Sequence, residues 1–205
     1  MTTQARGEET RTRILEAAVE AFARHSYDAT GVAEICQRAG VTKGGFYHHF
    51  PSKQALFLEM LDQWLEGLDS QIEAVRSGSQ TVPEDLMGMT GMVRAVFRDA
   101  GGRLPIFLEF LAHAGRSPEV WQATVGHFCK YDQFFADLVR EGIQEGSLGE
   151  VDPEITSRVL LSFAIGLLAQ GLLDPFGADW AEVAREGMAM LIKGSRSQER
   201  NGEWA

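Results

Sequence analysis

Residues 42–50, TKGGFYHHF, hold the side chains of this sequence that are best suited to binding an anionic ligand. A threonine, a lysine, a tyrosine and two histidines bring hydroxyl, ammonium and ring N–H donors into one short stretch. Between them stand Gly44 and Gly45, whose missing side chains let the backbone approach a ligand closely. If the stretch is helical, the free N–H groups of its first turn also favour anions.

A helical projection gives these side chains different directions. With Lys43 at zero and about 100° per residue, Phe46 falls near ~300° and Phe50 near ~340°, which defines the inward side. His48 lies opposite, near ~140°, and both glycines fall on the same outward side. His49, near ~240°, lies closer to the core. The stretch is therefore predicted to be a short helix with one aromatic face and one open face.

Other interpretations of this stretch remain open at the level of sequence. The glycine pair could belong to a loop, since each glycine costs a helix about 1 kcal/mol relative to alanine. Adjacent histidines can be an incidental surface feature, and a zinc site would need a Cys or carboxylate partner that the neighbouring sequence does not suggest. A phosphate-cradling loop would need a preceding strand and a flanking glycine pattern.

The elements that must position this stretch are predicted from periodicity. Ile14, Ala18 and Phe22 recur at four-residue steps and indicate a first helix from about Glu9 to Ser26. These apolar residues are expected to share one small core with those of the two helices that follow.

Two further short helices follow. One is predicted over residues 31–39, with Thr30 as its N-cap and Gly40 at its C-terminal end. Thr42 is the N-cap candidate of the next helix, which Pro51 stops. This arrangement is a helix-turn-helix, in which the second helix of the pair enters the DNA major groove.

The rest of the chain is also predicted to be helical. Ser52 is expected to cap a long fourth helix. The predicted fold class is all-α with about nine helices, organised as an N-terminal three-helix helix-turn-helix DNA-binding domain (1–51), a C-terminal helical domain (52–194) and a disordered tail (195–205). The later helices are predicted over about 84–100, 104–114, 119–145, 153–173 and 180–193.

Residues 27–57, YDATGVAEICQRAGVTKGGFYHHFPSKQALF, resemble the DNA-binding segment of TetR-type (tetracycline-repressor-like) transcriptional regulators. The resemblance rests on the threonine before the second helix, the turn around Gly40, the Thr-Lys-Gly run, the Phe-Tyr and His-Phe pairs and the Ser-Lys pair after the proline. Gly45 departs from the pattern, because the family often has a small residue with a side chain there, so one base contact is in doubt.

The resemblance implies DNA contacts for nine residues. Those at the start of the third helix are expected at bases and phosphates, and Tyr47 and His48 at phosphates, with His48 also able to reach a base edge. His49 is expected either to reach a phosphate or to pack structurally. Phosphate contacts fix the register of the protein on the duplex, and base-edge contacts determine which DNA sequence is recognised. The nine are Thr30, Thr42, Lys43, Gly44, Gly45, Tyr47, His48, His49 and Lys53.

The resemblance further implies that residues 52–194 form a C-terminal helical ligand-binding and dimerisation domain, and therefore that the protein is a homodimer. The last two helices, about 153–173 and 180–193, mix small and large apolar residues and are expected to form a four-helix interface between subunits. Packing within the monomer alone is the alternative. A dimer would place two recognition helices about 34–36 Å apart on a near-palindromic operator in double-stranded DNA.

A small-molecule effector is the second partner that the resemblance implies. Met and aromatic residues suit adaptable apolar sites, so a largely apolar effector of unknown identity is expected. Most of these side chains could equally belong to the core. Glu109 and His113 could add polar contacts, or they could be an exposed pair or include a core histidine with satisfied hydrogen bonds. No cofactor and no metal site is predicted. The candidate ligand-binding residues are Trp64, Met92, Phe107, Phe110, His113, Trp121 and Phe128.

Together these features predict a ligand-responsive DNA-binding transcriptional regulator and not an enzyme. The protein is expected to be a repressor. In the favoured mechanism, the effector shifts a conformational equilibrium and thereby releases the repressor from its operator. The alternatives are a helical small-molecule-binding protein or enzyme without a DNA-binding role, and a helix-turn-helix used for protein contacts alone.

Charge and cysteine content agree with this function. The chain has a net charge of −10, yet residues 1–55 hold seven basic and six acidic side chains, so only this part suits a polyanion. Cys36 and Cys129 are predicted to be buried free thiols. The sequence holds no run of about 18 apolar residues and no signal region at its start, so we expect a cytoplasmic protein without membrane contact.

Overall fold

A computed structural model describes residues 3–98, 106, 112, 115 and 118–196 of the chain. Within these residues all regular structure is helical, which confirms the predicted all-α class. The helix predicted over 104–114 lies mostly outside the described residues. The helices are α1 (Thr3–Ala29), α2 (Val32–Ala39), α3 (Lys43–His49), α4 (Lys53–Gly78), α5 (Val82–Arg98), α6 (Pro118–Gln144), α7 (Pro153–Leu173) and α8 (Trp180–Arg196).

Two helix ends differ from the prediction by several residues. α1 begins at Thr3 and not at Glu9, because its first turns are polar and lack the apolar period on which the prediction relied. α8 continues to Arg196, so the first two residues of the predicted disordered tail are helical. Their backbone is held by the rest of the chain, since the Gly149 N–H donates to the Ser195 carbonyl oxygen at 2.8 Å. Residues 197–205 lie outside the described residues.

The described residues form two compact units. The first unit comprises 3–68 and the described residues of 106–124, and the second comprises 69–98 and 125–196. The division falls inside α4, whereas the sequence suggested a boundary at residue 51. The first turns of α4 belong to the first unit because Leu56 and Phe57 are fully buried there.

The core of the first unit is built largely as the periodicity predicts. Ile14, Ala18 and Ile35 have no exposed surface. An aromatic cluster adds Phe22 and Phe57, whose ring centroids lie 5.6 Å apart in an edge-to-face arrangement. α1 packs on α2, and α2 packs on α3, so this core carries the helix-turn-helix.

The second unit has its own apolar core. α5 packs against α8, and α7 also packs against α8. Gly187 permits close packing, because a β-carbon there would come 2.4 Å from Phe163 Cζ. The buried members of this core are Val82, Leu86, Leu138, Val139, Leu148, Leu160, Met188 and Ile192.

Candidate nucleic-acid interface

The turn between α2 and α3 is made by a left-handed glycine. Gly40 has φ 65° and ψ 37°, a conformation that residues with a β-carbon rarely adopt. Its N–H donates to the Gln37 carbonyl oxygen at 3.4 Å, and the Val41 N–H donates to the Cys36 carbonyl oxygen at 3.0 Å. These bonds satisfy the last carbonyls of α2 and confirm the predicted helix end at Gly40.

Thr42 starts α3 as its N-cap, as predicted. Its hydroxyl oxygen accepts a hydrogen bond from the Gly45 N–H at 3.1 Å. The helix then runs from Lys43 to His49, and the Phe50 N–H closes its last turn onto the Phe46 carbonyl oxygen at 2.9 Å. The glycine pair is therefore helical, and the loop interpretation is wrong.

α3 has the two faces that the helical projection predicts. Phe46 is fully buried and Phe50 is 3% exposed. Lys43, Gly44 and His48 are exposed, and 53% of the Tyr47 surface is accessible. The exposed face thus presents an ammonium, a phenol and an imidazole around a strip of bare backbone, a combination that suits phosphates and base edges.

His49 lies on the flank of α3 that faces α1. It is half-buried, and a β-carbon added at Gly7 would come 4.0 Å from His49 Cε1. Burial of the ring lowers the pKa of His49, and the nearby charges of His48 and Arg11 lower it further. The neutral ring is therefore favoured, and a packing role suits it better than a charged phosphate contact.

Arg11 is a residue of this region that the sequence reasoning missed. Its guanidinium carbon lies 5.2 Å from the centroid of the Phe50 ring, and its Nη2 pairs with Glu59 Oε1 at 2.7 Å. One side chain of α1 thereby touches the residue that ends α3 and a residue of α4. The contact depends on residues almost forty positions apart, which no local motif signals.

Lys53 contacts the protein backbone through its ammonium group. Its ammonium donates to the Tyr27 carbonyl oxygen at 2.7 Å and to the Thr30 carbonyl oxygen at 2.9 Å. The same nitrogen lies 4.1 Å from the Tyr27 ring centroid. Lys53 thus ties the last turn of α1 to the connection with α2, and the phosphate contact that the resemblance implied stays a prediction.

The two expectations for Thr30 are corrected. Gly31 and not Thr30 occupies the N-cap position of α2, and no side chain caps this helix. Thr30 is 1% exposed, and its hydroxyl donates to the Ser26 carbonyl oxygen at 2.7 Å. Ser26 interrupts α1 with φ 65° and ψ 164°, an unfavourable conformation for a residue with a side chain. The Thr30 hydroxyl therefore supports a strained kink near the end of α1.

The cysteines and candidate metal ligands add no second site. Cys36 is buried, and burial raises the pKa of its thiol. Cys129 is exposed, so the prediction that it is buried is wrong. Over the part of the chain that the structure describes, no three His, Cys, Asp or Glu side chains cluster as metal ligands would.

The candidate ligand-binding residues are divided between the two units. Trp64 and Trp121 belong to the first unit, and Trp121 is 53% exposed. Met92 and Phe128 belong to the second unit and are both half-buried. The remaining candidates, Phe107, Phe110 and His113, lie outside the described residues. Of the seven, Trp64 lines a cavity within its own unit.

Known proteins match both the helix-turn-helix and the whole chain. Residues 14–60 match the family model described as bacterial regulatory proteins, tetR family. The chain is 29% identical over 171 residues to the HTH-type transcriptional regulator UidR of Escherichia coli K12, covering 81% of this chain and 83% of that protein.

Two solved structures have the same fold. A TetR-family transcriptional regulator from Streptomyces coelicolor, SCO4454, superposes with a TM-score of 0.78 and 25% identity over 92% of this chain and 97% of its own. The regulator FadR from Bacillus subtilis, solved with stearoyl-CoA, has a TM-score of 0.73 and 22% identity over 89% and 98% of the two chains.

Proposed function

We propose that this chain, which belongs to the tetR family of bacterial regulatory proteins, is a transcriptional repressor that a small molecule releases from DNA. The observation that carries the proposal is the exposed face of α3, held by a buried aromatic face and a glycine turn. DNA binding is the activity for which such a helix is suited, because its donors project from a scaffold that fixes their direction.

The DNA contacts follow from exposure and chemistry. Lys43 and Tyr47 are the proposed phosphate contacts, and His48 contacts a phosphate or a base edge. Gly44 allows the backbone to approach the duplex. Gly45 is half-buried beside Thr42 and lies at the edge of the proposed DNA contact. Thr42 sets the direction of the helix through its cap, while His49 and Thr30 act by packing. Lys53 combines its two carbonyl contacts with the phosphate contact that the resemblance implies.

A homodimer is supported by apolar surface on α7 and α8. Ile155 is 62% exposed and Val159, one turn further along α7, is 45% exposed. On α8, Val183 is 38% exposed and Met190 is 71% exposed two turns later, on the same face. Large apolar side chains that stay exposed on two helices are typical of an interaction site, and we assign them to contact with a second copy of the chain.

The same helix could be mistaken for a membrane span. α7 is long and apolar enough to cross a membrane by length and composition, and only 22% of its most apolar window is buried in the monomer. Burial in a dimer accounts for this composition, because the helix also carries the core residues Ser157, Leu160 and Leu167 on its other side. We therefore propose that the protein is a regulator located in the cytoplasm.

A small, largely apolar effector is proposed on more general grounds. Among the matched proteins, FadR was solved with stearoyl-CoA, so one regulator of this fold holds a ligand that carries a long acyl chain. Met92 and Phe128 of the second unit are half-buried and are the proposed ligand contacts there. Release requires that the effector bind the state with low DNA affinity more tightly than the state with high affinity.

Selection from a random pool of duplex DNA with the full chain tests the function. The expected result is enrichment of a near-palindrome with half-sites about one helical turn apart. Binding should weaken steeply as salt rises, because phosphate contacts release counterions. Failure to enrich any duplex would refute DNA binding.

Alanine variants test the assigned DNA-contact residues. The Lys43→Ala and Tyr47→Ala variants should lose most of the affinity for the selected site, and unchanged affinity would overturn the assigned face.

A transcription assay tests the direction of regulation. Transcription from a promoter that overlaps the selected site should fall when the protein is added. A rise would identify an activator instead.

A further inference from the structure

A cavity of about 380 Å³ lies within the first unit, between α1 and the first half of α4. Its floor is apolar, because Leu15, Met60, Leu61 and Ile106 line it and none is more than 8% exposed. The volume falls within the range of about 300–1,000 Å³ that small-molecule sites occupy. The floor can therefore cover the apolar part of a small ligand.

The rim of the cavity carries uncompensated negative charge. Glu8 and Glu16 lie two turns apart on α1, and both exposed side chains line the cavity. Among the described residues, neither carboxylate forms an ion pair or a hydrogen bond. Arg11 also lines the cavity, but its guanidinium already pairs with Glu59 at 2.7 Å. Both carboxylates are exposed to solvent, so they are accessible to a cationic ligand.

The third feature of the site is an indole. Trp64 is half-buried and lines the same cavity. Tryptophan is the side chain that attracts organic cations most strongly through its ring face. An apolar floor, an aromatic wall and two free carboxylates are together the chemistry of a site for an amphipathic cation.

We propose that this cavity binds a small organic cation, an alkyl- or arylammonium, with its apolar body on the floor and its charge between Glu8 and Glu16. An anionic ligand fits poorly, because it would meet both carboxylates and could only compete with Glu59 for Arg11. A neutral ligand would leave the charged rim unused. The site belongs to the unit that carries α3, and its occupation does not depend on whether the chain binds DNA.

Methyl NMR of the full chain labelled at methionine tests the proposal with phenyltrimethylammonium as the probe. Met60 lines the cavity, whereas Met188 lies in the core of the second unit and serves as the internal control. The Met60 methyl signal should shift in a saturable manner while the Met188 signal stays in place. Phenylacetate, an aromatic anion of similar size, should leave Met60 unshifted over the same concentrations.

Charge variants establish whether the carboxylates hold the probe. The Glu8→Gln/Glu16→Gln double variant should raise the Kd for phenyltrimethylammonium by about tenfold, the scale expected for two solvent-exposed charge attractions. Glu9 and Glu73 are exposed and do not line the cavity, so the Glu9→Gln/Glu73→Gln variant removes the same charge and should leave the Kd unchanged.

Each other outcome overturns the proposal. One is a Met60 methyl signal that stays in place at millimolar phenyltrimethylammonium, and another is a Met188 signal that shifts instead. The others are an equal Met60 shift with phenylacetate and equal Kd values of the two double variants for phenyltrimethylammonium. The measurement contains no DNA, so its failure leaves the proposed regulatory function standing. Failure of the duplex selection, in turn, would leave this cation site standing.

Discussion

The ammonium nitrogen of Lys53 lies 2.7 Å from the carbonyl oxygen of Tyr27, a residue on the other side of the helix-turn-helix in the sequence. The same nitrogen lies above the Tyr27 ring and donates to the Thr30 carbonyl oxygen. One lysine at the start of α4 therefore satisfies two carbonyls, one in the last turn of α1 and one in the connection to α2. α2 and α3 stand between these two anchors, so the contact sets the frame in which the recognition helix is held.

Replacing Lys53 with methionine is expected to destabilise the first unit. Two half-buried carbonyls lose a charged donor, and the loss should lower the free energy of unfolding by about 2 kcal/mol. Chemical denaturation of the purified protein measures the change. The Lys53→Arg variant keeps a cation and should recover part of the loss. Equal stability of the methionine variant and the wild type would show that this contact contributes nothing.

Lys43 provides a matched lysine with the opposite expected effect. It is exposed at the start of α3, where its charge opposes the helix dipole, so Lys43→Met should leave stability unchanged or slightly higher. The affinity of the Lys43→Met variant for the selected duplex should fall. The slope of the logarithm of its DNA-binding constant against the logarithm of salt concentration should shrink by about one, as for one lost phosphate contact. Binding measured at several salt concentrations gives this slope. An unchanged slope would remove Lys43 from the interface.

Gly44→Ala is expected to separate stability from DNA binding. A β-carbon at Gly44 meets only Thr42 Oγ1, at 3.8 Å, so the fold has room for it. Alanine should then stabilise the helix by about 0.5–1 kcal/mol, while DNA affinity falls because the backbone no longer approaches the duplex. Gly40→Ala is the control, since φ 65° makes it destabilising. Retained DNA affinity in a stabilised Gly44→Ala protein would contradict the close approach.

The histidine on the flank of α3 should make stability depend on pH. Burial lowers the folded-state pKa of His49 below its ordinary value of 6.5, so between the two pKa values the unfolded chain binds a proton that the folded chain does not. Stability should therefore decrease as pH falls through about 6.5 and level off below the folded pKa. Thermal unfolding of the wild type and His49→Gln between about pH 7.5 and 5 measures this. The difference in stability between the two proteins should change over this range. A constant difference would exclude His49 as a source of the pH dependence.

Charges placed on the exposed faces of α7 and α8 should prevent dimer formation. The Val159→Glu/Met190→Glu variant puts carboxylates into the proposed apolar interface, where burial without partners is costly. Sedimentation should then show a monomer at concentrations where the wild type is a dimer. Ser77→Glu/Gln144→Glu adds the same charge at exposed positions elsewhere in the second unit and should remain dimeric. A dimer in both variants would place the interface on another surface.

Local features of the site could be predicted from the sequence because they depend on neighbours in the chain. The projection placed Phe46 and Phe50 inward and His48 outward, since a helix repeats every 3.6 residues whatever surrounds it. Gly40 and Thr42 were predicted for the same reason, because a helix end needs its cap within a few residues.

Distant contacts could not be predicted in this way. Thr30 and Lys53 were assigned to phosphates, yet Thr30 is buried and Lys53 binds carbonyls more than twenty residues away. Neither the ion pair between Arg11 and Glu59 nor the negatively charged rim of the cavity has a local pattern.

The all-helical class, the positions of the helices around the turn and the open face of α3 could all be predicted without coordinates. Those properties follow from helical period, capping and proline or glycine placement, which act over a few residues. Which polar groups remain available to a ligand depends instead on how the helices pack. A side chain such as Lys53 is free or engaged according to the backbone that packing brings beside it, and its own position in the sequence does not contain that information.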